Sequence, residues 1–333
     1  MNLPLPIRML LWPVSLIYGL ITRYRALLYE KGVFKAKRLK TPVISVGNVT
    51  VGGTGKTPMV LYLAERFLSE GKSVGILSRG YRGVDGTSDE IEMLKRRLAG
   101  RVIFGVGADR FEEGSKIERE NPVDVFLLDD GFQHLQLARD VDIVLWDGTK
   151  KFRRQWLLPS GSLREPISGI GRADVLVVTR RDGNAVAQRD DSYAGTAFAA
   201  QTKLLGFRKI QAGAVPGPIE SSIMGPAFVF CGIGNPQAFF NDLRRWGIEP
   251  VGTMSFRDHH CYTKEDAARL TDSGHWAGAA CFVTTEKDQQ NLNGVDFGEW
   301  PVFVAVISLE LNRDREFDAK IRRLLSERRS GMA

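Results

Sequence analysis

The stretch GNVTVGGTGKT, residues 47–57, decides the fold of this chain. A strand-like apolar run at residues 42–46 precedes it, and a helix-like run at residues 59–68 follows it. In such a loop the glycines let backbone N–H groups point inward, and the helix N-terminus adds partial positive charge. Lys56 is then expected to reach phosphate oxygens, and the Thr57 hydroxyl to bind Mg²⁺. The stretch therefore predicts a P-loop and not a plain turn, although Thr50 stands at the position of the first consensus glycine.

The composition is ordinary for a globular protein. A length of 333 residues suggests two domains, and 43% hydrophobic and 26% charged residues allow a sizeable core. The three cysteines are too far apart in sequence for a metal or redox motif, which predicts reduced thiols.

The positive net charge belongs to the N-terminal arm, residues 1–40. The chain has a formal net charge of +7, and the arm contains eight basic residues and one acidic residue, so the remainder is neutral. This distribution argues against a nucleic-acid partner for the body of the protein. No segment indicates an obligate protein partner.

The arm also contains an apolar run at residues 9–21, which is shorter than the roughly 18 residues that a membrane span needs. Its aromatic residues and flanking arginines are typical of a helix that lies on an anionic membrane surface. A short or tilted span, a helix docked on the core and a signal peptide are the alternatives. The signal peptide fits poorly, because Thr22-Arg23-Tyr24-Arg25 follows the run in place of a small-residue cleavage site.

Beyond the arm, apolar strand-like runs alternate with helical segments, which predicts a parallel sheet with ligands at the carboxyl ends of its strands. We predict a P-loop α/β domain at residues 41–180 and a connector at 181–225. The connector is expected to hold one or two strands, around residues 197–201 and 203–210. A smaller α/β lobe is predicted at residues 226–330.

Several polar segments are candidates for chemistry. Asp129 and Asp130 end an apolar strand, where a P-loop enzyme places metal-binding carboxylates, although an ordinary Asp-Gly turn is the alternative. Arg164 and Glu165 are a charged pair in a loop, suited to transferring phosphate and metal or to a surface salt bridge. His134 is expected to be structural.

The second lobe contributes an Asp-His-His segment at residues 258–260. An aspartate–histidine pair suits acid–base chemistry, whereas an N-cap at Thr263 is the plain alternative. The segment Thr285-Glu286-Lys287-Asp288 departs from the guanine-binding pattern, because Glu286 stands where that pattern requires lysine.

These segments together resemble tetraacyldisaccharide 4′-kinase, the lipid A 4′-kinase of Gram-negative envelopes. The resemblance rests on GNVTVGGTGKTP at residues 47–58, DDGFQH at 129–134 and LREP at 163–166. Residues 77–83, 258–263 and 285–288 match further family segments in the same order. The family's own loop also lacks the first consensus glycine.

The resemblance implies an ATP- and Mg²⁺-dependent kinase that phosphorylates the 4′-hydroxyl of a tetraacyldisaccharide 1-phosphate to give lipid IVA. It implies that the protein acts at the cytoplasmic face of the inner membrane, with the arm on the membrane surface. It also implies a P-loop NTPase-like fold of two α/β/α lobes joined by a β-hairpin, with the active site between them and the hairpin in the predicted connector.

The resemblance also assigns roles to individual residues. Nucleotide binding falls to Thr50, Val51, Gly52, Gly53, Thr54, Gly55, Lys56, Thr57 and Arg110. Metal binding falls to Thr57, Asp129, Asp130, Glu165 and Gln133. Catalysis falls to Lys56, Arg164, Asp89 and His259. Asp89 is the expected base, matched through Ser88-Asp89-Glu90-Ile91 although both flanking residues differ from the family's, with His259 as its partner and His260 as the fallback.

Three other functions compete with this reading. One is a membrane-associated ATP- or GTP-hydrolysing switch, and another is a scaffold with a relict P-loop. The third is a kinase that acts on a different lipid or sugar acceptor.

Overall fold

The computed structural model describes residues 4–80, 88–150, 155–180, 195–210, 217–292 and 294–330. The chain forms two compact units. The first unit draws on residues 1–80, 100–201 and 309–333, and the second on residues 81–99 and 202–308.

The first unit is built on a parallel sheet with the strand order β3-β2-β4-β1-β5-β6-β7. The strands are β1 Val43–Asn48, β2 Val74–Ser78, β3 Ile103–Val106, β4 Val125–Asp129, β5 Val141–Asp147, β6 Val175–Thr179 and β7 Thr196–Lys209. Every residue of β1, β4, β5 and β6 is buried. Burial on both faces explains why these strands are continuous apolar runs without alternation.

The helices of the first unit are α1 Leu5–Glu30, α2 Lys56–Ser69, α4 Arg110–Glu120 and α7 Asp314–Ser330. Helix α4 packs on the sheet through Ile117, which joins Leu77 and Phe126 in one buried cluster. Helix α7 packs through Phe317, whose ring makes edge contacts with Tyr62 of α2 and Phe198 of β7. The sheet therefore positions the start of α2 at the carboxyl end of β1.

Helix α1 is twice as long as the apolar run from which it was predicted. It has 26 residues and contains Pro13. Within the described part of the chain, it is the helix that is long and apolar enough by composition to cross a membrane. Ser15 and Gly19 are its buried residues, whereas Leu10, Leu20 and most of its other large apolar side chains are exposed. Helix α1 is therefore docked on the protein along one face, as the docked-helix alternative predicts, while most of its apolar side chains remain exposed.

The second unit contains a smaller parallel sheet with the strand order β11-β10-β8-β9. Its strands are β8 Ala227–Cys231, β9 Gly252–Ser255, β10 Cys281–Thr285 and β11 Val302–Leu311, and its helices are α3 Asp89–Leu98, α5 Pro236–Arg245 and α6 Lys264–Trp276. Stacked and edge-on aromatic rings, among them Phe230, Phe282 and Phe297, fill its core. Cys231 and Cys281 are buried free thiols, and Cys261 is an exposed one.

Helix α3 belongs to the second unit, whereas the sequence analysis placed it in the domain at residues 41–180. A buried ion pair provides the reason. Arg97 of α3 donates to both carboxylate oxygens of Glu286 at 3.1 and 3.0 Å, and to Ile307 O at 3.0 Å. This contact between residues distant in sequence cannot be inferred from local patterns.

The connector also differs in detail from the prediction. The two strand segments predicted near residues 197–210 form one strand, β7. β7 pairs with β11, because Asn312 donates to Ala199 O at 3.0 Å and Ile210 donates to Val302 O at 2.8 Å, which is an antiparallel register. Both strands run from one unit into the other. Residues 181–194 and 211–216 of the predicted connector lie outside the described residues.

Removing the arginine of the buried ion pair should destabilise the second unit. The side chains of Arg97 and Glu286 are 7% and 6% exposed, so Arg97→Met leaves a buried carboxylate without its cation. We expect a loss of about 3–5 kcal/mol in the free energy of unfolding, measured by urea denaturation. The double variant R97M/E286Q should recover part of this loss. A cost below about 1 kcal/mol for R97M would show that the pair behaves like an exposed salt bridge.

Candidate active site

The P-loop begins where β1 ends. Asn48, the last residue of β1, donates from Nδ2 to Thr54 Oγ1 at 2.8 Å and so ties the two ends of the loop together. Thr179, the last residue of β6, donates to Thr54 O at 3.1 Å. Gly55 adopts φ = +90° directly before α2, a conformation that strains any residue with a Cβ. The base of the loop is therefore fixed by side chains from two strands, β1 and β6, which lie on either side of β5.

The front of the loop is open. Gly52 and Gly53 are exposed, and a Cβ added at either would meet nothing within 4 Å among the described atoms. Lys56 and Thr57 form the first turn of α2, where unpaired backbone N–H groups and the helix dipole favour an anion. This arrangement offers backbone donors, a lysine and a hydroxyl to a polyphosphate.

A second loop, residues 155–165, pairs with the P-loop. Val51 N–H donates to Ser162 O at 2.8 Å, and Arg164 N–H donates to Val49 O at 2.8 Å. Thr50, which is buried, forms the antiparallel bridge between these two bonds, opposite Leu163. The pairing brings Arg164 next to the P-loop from a position more than 100 residues away in sequence.

Asp130 lies between the two cations of the site. Arg164 Nη1 donates to its two carboxylate oxygens at 2.9 and 2.7 Å, and Lys56 Nζ lies 3.4 Å from Oδ1. Burial alone would raise the pKa of Asp130, but the charges of Lys56 and Arg164 outweigh burial and hold the pKa below its usual value. The carboxylate therefore stays ionised and holds both cations in place.

Three further residues predicted as metal ligands lie around the same loop. Asp129 is the last residue of β4, where it is buried and in register with Val46 of β1. Gln133 donates to Asn48 O at 2.8 Å and to Glu165 Oε1 at 2.7 Å. Arg172 donates to Glu165 Oε2 at 2.8 Å, so the Glu165 carboxylate is held on both sides.

This donor set fits magnesium better than a transition metal. No group of three or more histidine, cysteine, aspartate or glutamate residues with metal-binding geometry occurs among the residues that the structure describes. Mg²⁺ does not need such a cluster, because one or two carboxylates, substrate phosphates and water usually complete its shell. Thr57, Asp129 and Glu165 offer oxygen ligands next to the phosphate loop. Asp130 is instead occupied by its two cations in this structure.

Arg110 is the first residue of α4, and it is buried against His134. Its Nη1 lies 3.2 Å from His134 Nδ1 and 3.0 Å from Ala108 O. Burial and the charges of Arg110 and Arg139 lower the pKa of His134 to about 4, so the ring is neutral and accepts from Arg110. His134 therefore orients an arginine, in agreement with the structural role expected for it.

In the second unit, Asp89 and His259 form a hydrogen-bonded pair. Asp89 opens α3 behind the N-cap Ser88, and its Oδ2 lies 2.8 Å from His259 Nδ1. Asn291 donates to the same oxygen at 3.0 Å. His259 has φ = +59°, and its side chain is half exposed, whereas Asp89 is largely covered. The carboxylate of Asp89 therefore orients the half-exposed imidazole of His259.

The two pKa values of this pair shift in opposite directions. The hydrogen bond that His259 donates to the Asp89 carboxylate raises the pKa of His259 above its usual value, against the opposing effects of burial and of Lys287. Burial acts to raise the pKa of Asp89, but its hydrogen bonds with His259 and Asn291 leave that pKa below the usual value. Asp89 is therefore ionised at neutral pH, and the pKa of His259 lies above its usual value.

Lys287 lies beside this pair. Its Nζ is 3.0 Å from Glu90 Oε1, 3.3 Å from Asp258 Oδ1 and 3.4 Å from His259 Nε2. These carboxylates hold the lysine at the far side of the imidazole.

The neighbouring residues have structural roles. His260 Nε2 lies 2.8 Å from Asp266 Oδ2, and Asp266 forms a capping box with Thr263 at the start of α6. His260 is therefore occupied in the N-cap segment, and His259 is the histidine that meets Asp89.

Asp288 is buried and accepts from Gly232 N–H, Tyr262 Oη and Thr285 Oγ1 at 2.7, 2.9 and 2.6 Å. Because three donors already occupy its carboxylate, Asp288 does not bind a guanine base. This agrees with the departure of residues 285–288 from the guanine-binding pattern.

The sequence analysis missed residues that hold the functional ones. They are Tyr18, Asn48, Arg172, Thr179, Lys287 and Asn291. Asn48 carried a signal, because it lies inside the matched P-loop segment. Lys287 lies in the matched segment 285–288, and Arg172 is only seven residues from Glu165 in sequence. Tyr18, Thr179 and Asn291 act through contacts across long sequence separations, for which spacing along the chain gives no signal.

Comparison with known proteins identifies relatives over almost the whole chain. The profile of the family described as tetraacyldisaccharide-1-P 4'-kinase matches residues 7–326. A tetraacyldisaccharide 4'-kinase of Pelobacter propionicus is 39% identical over 304 residues, which cover 86% of this chain and 83% of that protein. One of Geobacter metallireducens is 37% identical over 335 residues, which cover 95% and 98%.

A solved structure of LpxK from Aquifex aeolicus, described as an "apo" form in complex with ATP, has a similar fold. It aligns with a TM-score of 0.73 and 32% identity, and the match covers 96% of this chain and 99% of that one. Since both the family profile and these relatives span well over two thirds of the sequence, the chain belongs to the tetraacyldisaccharide-1-P 4'-kinase family.

Proposed function

We propose that this protein transfers the γ-phosphate of ATP to the 4′-hydroxyl of a tetraacyldisaccharide 1-phosphate, giving lipid IVA. The observation that carries the proposal is the cluster of Lys56, Asp130 and Arg164 at an open P-loop. Phosphoryl transfer requires mainly positioning and stabilisation of charge, and this cluster supplies both.

On the phosphate side, Lys56 and the N–H groups of residues 52–57 bind the β- and γ-phosphates, whereas the Val51 N–H is already bonded to Ser162 O. Arg164 neutralises charge that develops on the transferring group, as an arginine does in other phosphoryl transfers.

Thr57, Asp129 and Glu165 would hold Mg²⁺, with Gln133 and Arg172 orienting Glu165. When bound, Mg²⁺ supplies further neutralisation of phosphate charge. Arg110, oriented by His134, adds positive charge near Asp129 and Asp130.

On the acceptor side, the Asp89–His259 pair takes the proton of the sugar hydroxyl. The sequence analysis named Asp89 as the base, but the pKa directions favour the reverse division of roles. A group with a higher pKa accepts a proton more readily, and the pKa of His259 is raised whereas that of Asp89 is lowered. Asp89, whose pKa is lowered, orients the imidazole and stabilises the imidazolium that forms.

The exposed apolar face of α1 binds the membrane surface, at the cytoplasmic side of the inner membrane. Its docking contacts run from Arg8 to Arg25, a distance of about 26 Å along the helix axis. A helix bound lengthwise to the protein body lies along a membrane and does not cross it. Exposed apolar residues next to arginines suit an anionic leaflet, where the acyl chains of the substrate also reside.

The competing functions have weaker support. A nucleotide switch does not require an oriented aspartate–histidine pair in addition to the P-loop. A scaffold with a relict P-loop requires that the catalytic charges be missing, and Lys56, Asp130 and Arg164 are all present and in contact. A kinase for a different lipid or sugar acceptor would use the same residues, so product analysis must separate it from the proposed function.

Lys56→Ala should reduce acceptor-dependent phosphate transfer by about 10²-fold or more in kcat, because it removes a charge that stabilises the transition state. The matched control is Lys72→Ala, which removes an exposed lysine of the first unit and should leave kcat unchanged. Transfer of labelled phosphate from ATP in mixed micelles measures both. Near-normal turnover of K56A would refute the assignment of the phosphate site.

The pH dependence tests the division of roles in the acid–base pair. With neutral His259 as the acceptor, kcat/KM should fall as the pH drops through a midpoint above 6.5, because Asp89 raises the pKa of the imidazole. Asp89→Asn removes the main cause of that shift, so the midpoint should move to lower pH while kcat/KM drops by about 10²-fold or more.

His260→Gln is the control and should leave the midpoint in place, since His260 contacts Asp266 and not Asp89. A midpoint that stays above 6.5 in D89N would contradict the proposed roles.

Charges placed on the outer face of α1 should weaken membrane binding. Leu10 and Leu20 are 79% and 68% exposed. We expect L10E/L20E to reduce sedimentation with anionic liposomes by at least about tenfold in the partition constant, because two apolar anchors of about 1.5–3 kcal/mol each are lost.

Trp276→Glu is the control, because this side chain is 89% exposed on the second unit and α1 is unchanged. Unchanged sedimentation of L10E/L20E, or an equal loss with W276E, would contradict a membrane role for α1.

A further inference from the structure

The inner face of α1 is hydrogen-bonded to the loop at residues 155–165. Ser15 Oγ donates to Ser160 Oγ at 2.7 Å or to Leu157 O at 3.1 Å, and it accepts from Ser160 N–H at 3.0 Å. Arg8 Nε donates to Ser160 O at 3.0 Å. Ser15 and Ser160 are both buried, so these bonds are protected from water.

Helix and loop pack tightly at Gly19. A Cβ added there would lie 2.6 Å from Leu157 Cδ1, so the absent side chain lets the loop pack directly on the helix. At the adjacent residue, Tyr18 Oη donates to Arg164 O at 2.7 Å. The contacts at residues 8, 15, 18 and 19 follow the helical repeat and form one face.

The loop reaches the phosphate site directly. The backbone of Arg164 is held on both sides, since its N–H donates to Val49 O in the P-loop and its C=O accepts from Tyr18. The next peptide carries Glu165, whose carboxylate is also fixed by Gln133. A shift of the Arg164–Glu165 peptide would therefore move a cation and a carboxylate of the site together.

We propose that α1 supports the loop at residues 155–165 and thereby the phosphate site, with Tyr18 as a positioning residue that holds the Arg164–Glu165 peptide. The helix then has two faces with two tasks, since its outer face binds lipid while its inner face fixes the catalytic loop. Displacement of the helix lowers turnover even where the P-loop itself is intact. This inference rests on the proposed roles of Arg164 and Glu165.

The test compares Tyr18→Phe with Tyr24→Phe. Both remove a single hydroxyl from α1, but Tyr24 is 66% exposed on the outer face. Three quantities are measured for each purified full-length variant. They are hydrogen exchange of the amides of residues 157–166, kcat for phosphate transfer in mixed micelles, and sedimentation with liposomes.

In Y18F we expect faster exchange in this loop and a kcat lower by between about fivefold and 10²-fold, because small displacements of a positioning group are costly. Y24F should match the wild type in both. Sedimentation with liposomes should be unchanged in both variants, which separates positioning from membrane binding. Ser15→Ala should accelerate exchange in the same loop.

Unchanged hydrogen exchange of residues 157–166 in Y18F and S15A would overturn the proposal that α1 supports this loop. Faster exchange with unchanged kcat in Y18F would overturn the positioning role. Arg164→Ala, measured in parallel, distinguishes a failure of the underlying function, because near-normal turnover of R164A would refute the catalytic role of the loop itself.

Discussion

The phosphate site depends on the pairing of two loops that are far apart in sequence. The P-loop and the loop at residues 155–165 exchange backbone hydrogen bonds on both sides of the Thr50–Leu163 bridge. Without this pairing, Arg164 would not lie beside Lys56 and Asp130. With it, two cations and a carboxylate share one network at the carboxyl ends of β1 and β4. Because the same loop also packs on α1, helix α1 and the P-loop share one support.

The two units provide different electrostatic environments. At the P-loop, positive charge dominates and keeps the carboxylate of Asp130 ionised, as a site for anionic phosphates requires. In the second unit, the hydrogen bond with the Asp89 carboxylate raises the pKa of the His259 imidazole above its usual value.

Much of the fold was predictable because its signals are local. The buried parallel strands appear in the sequence as apolar runs, and the strand–loop–helix context of residues 47–57 identifies the P-loop. Family membership then rested on short segments in a fixed order. The length of α1 and the membership of α3 in the second unit were not predictable, because they depend on contacts such as Arg97–Glu286 that join distant segments.

The same distinction holds for the site. Lys56, Asp130 and Arg164 were chosen from the sequence and are in contact, and Asp89 meets His259. Their supports, among them Tyr18, Arg172 and Asn291, are ordinary polar residues whose importance appears only through their partners. The metal-binding assignments remain predictions, because Asp130 holds two cations in this structure.

The most direct measurement is the fate of the γ-phosphate. The purified protein is incubated with ATP, Mg²⁺ and tetraacyldisaccharide 1-phosphate in mixed micelles, and the product is analysed for the position of the new phosphate and for its ratio to ADP. Our account predicts one phosphate on the 4′ position per ADP formed, and little ADP without the acceptor. Steady release of ADP and free phosphate that does not depend on the acceptor would contradict it.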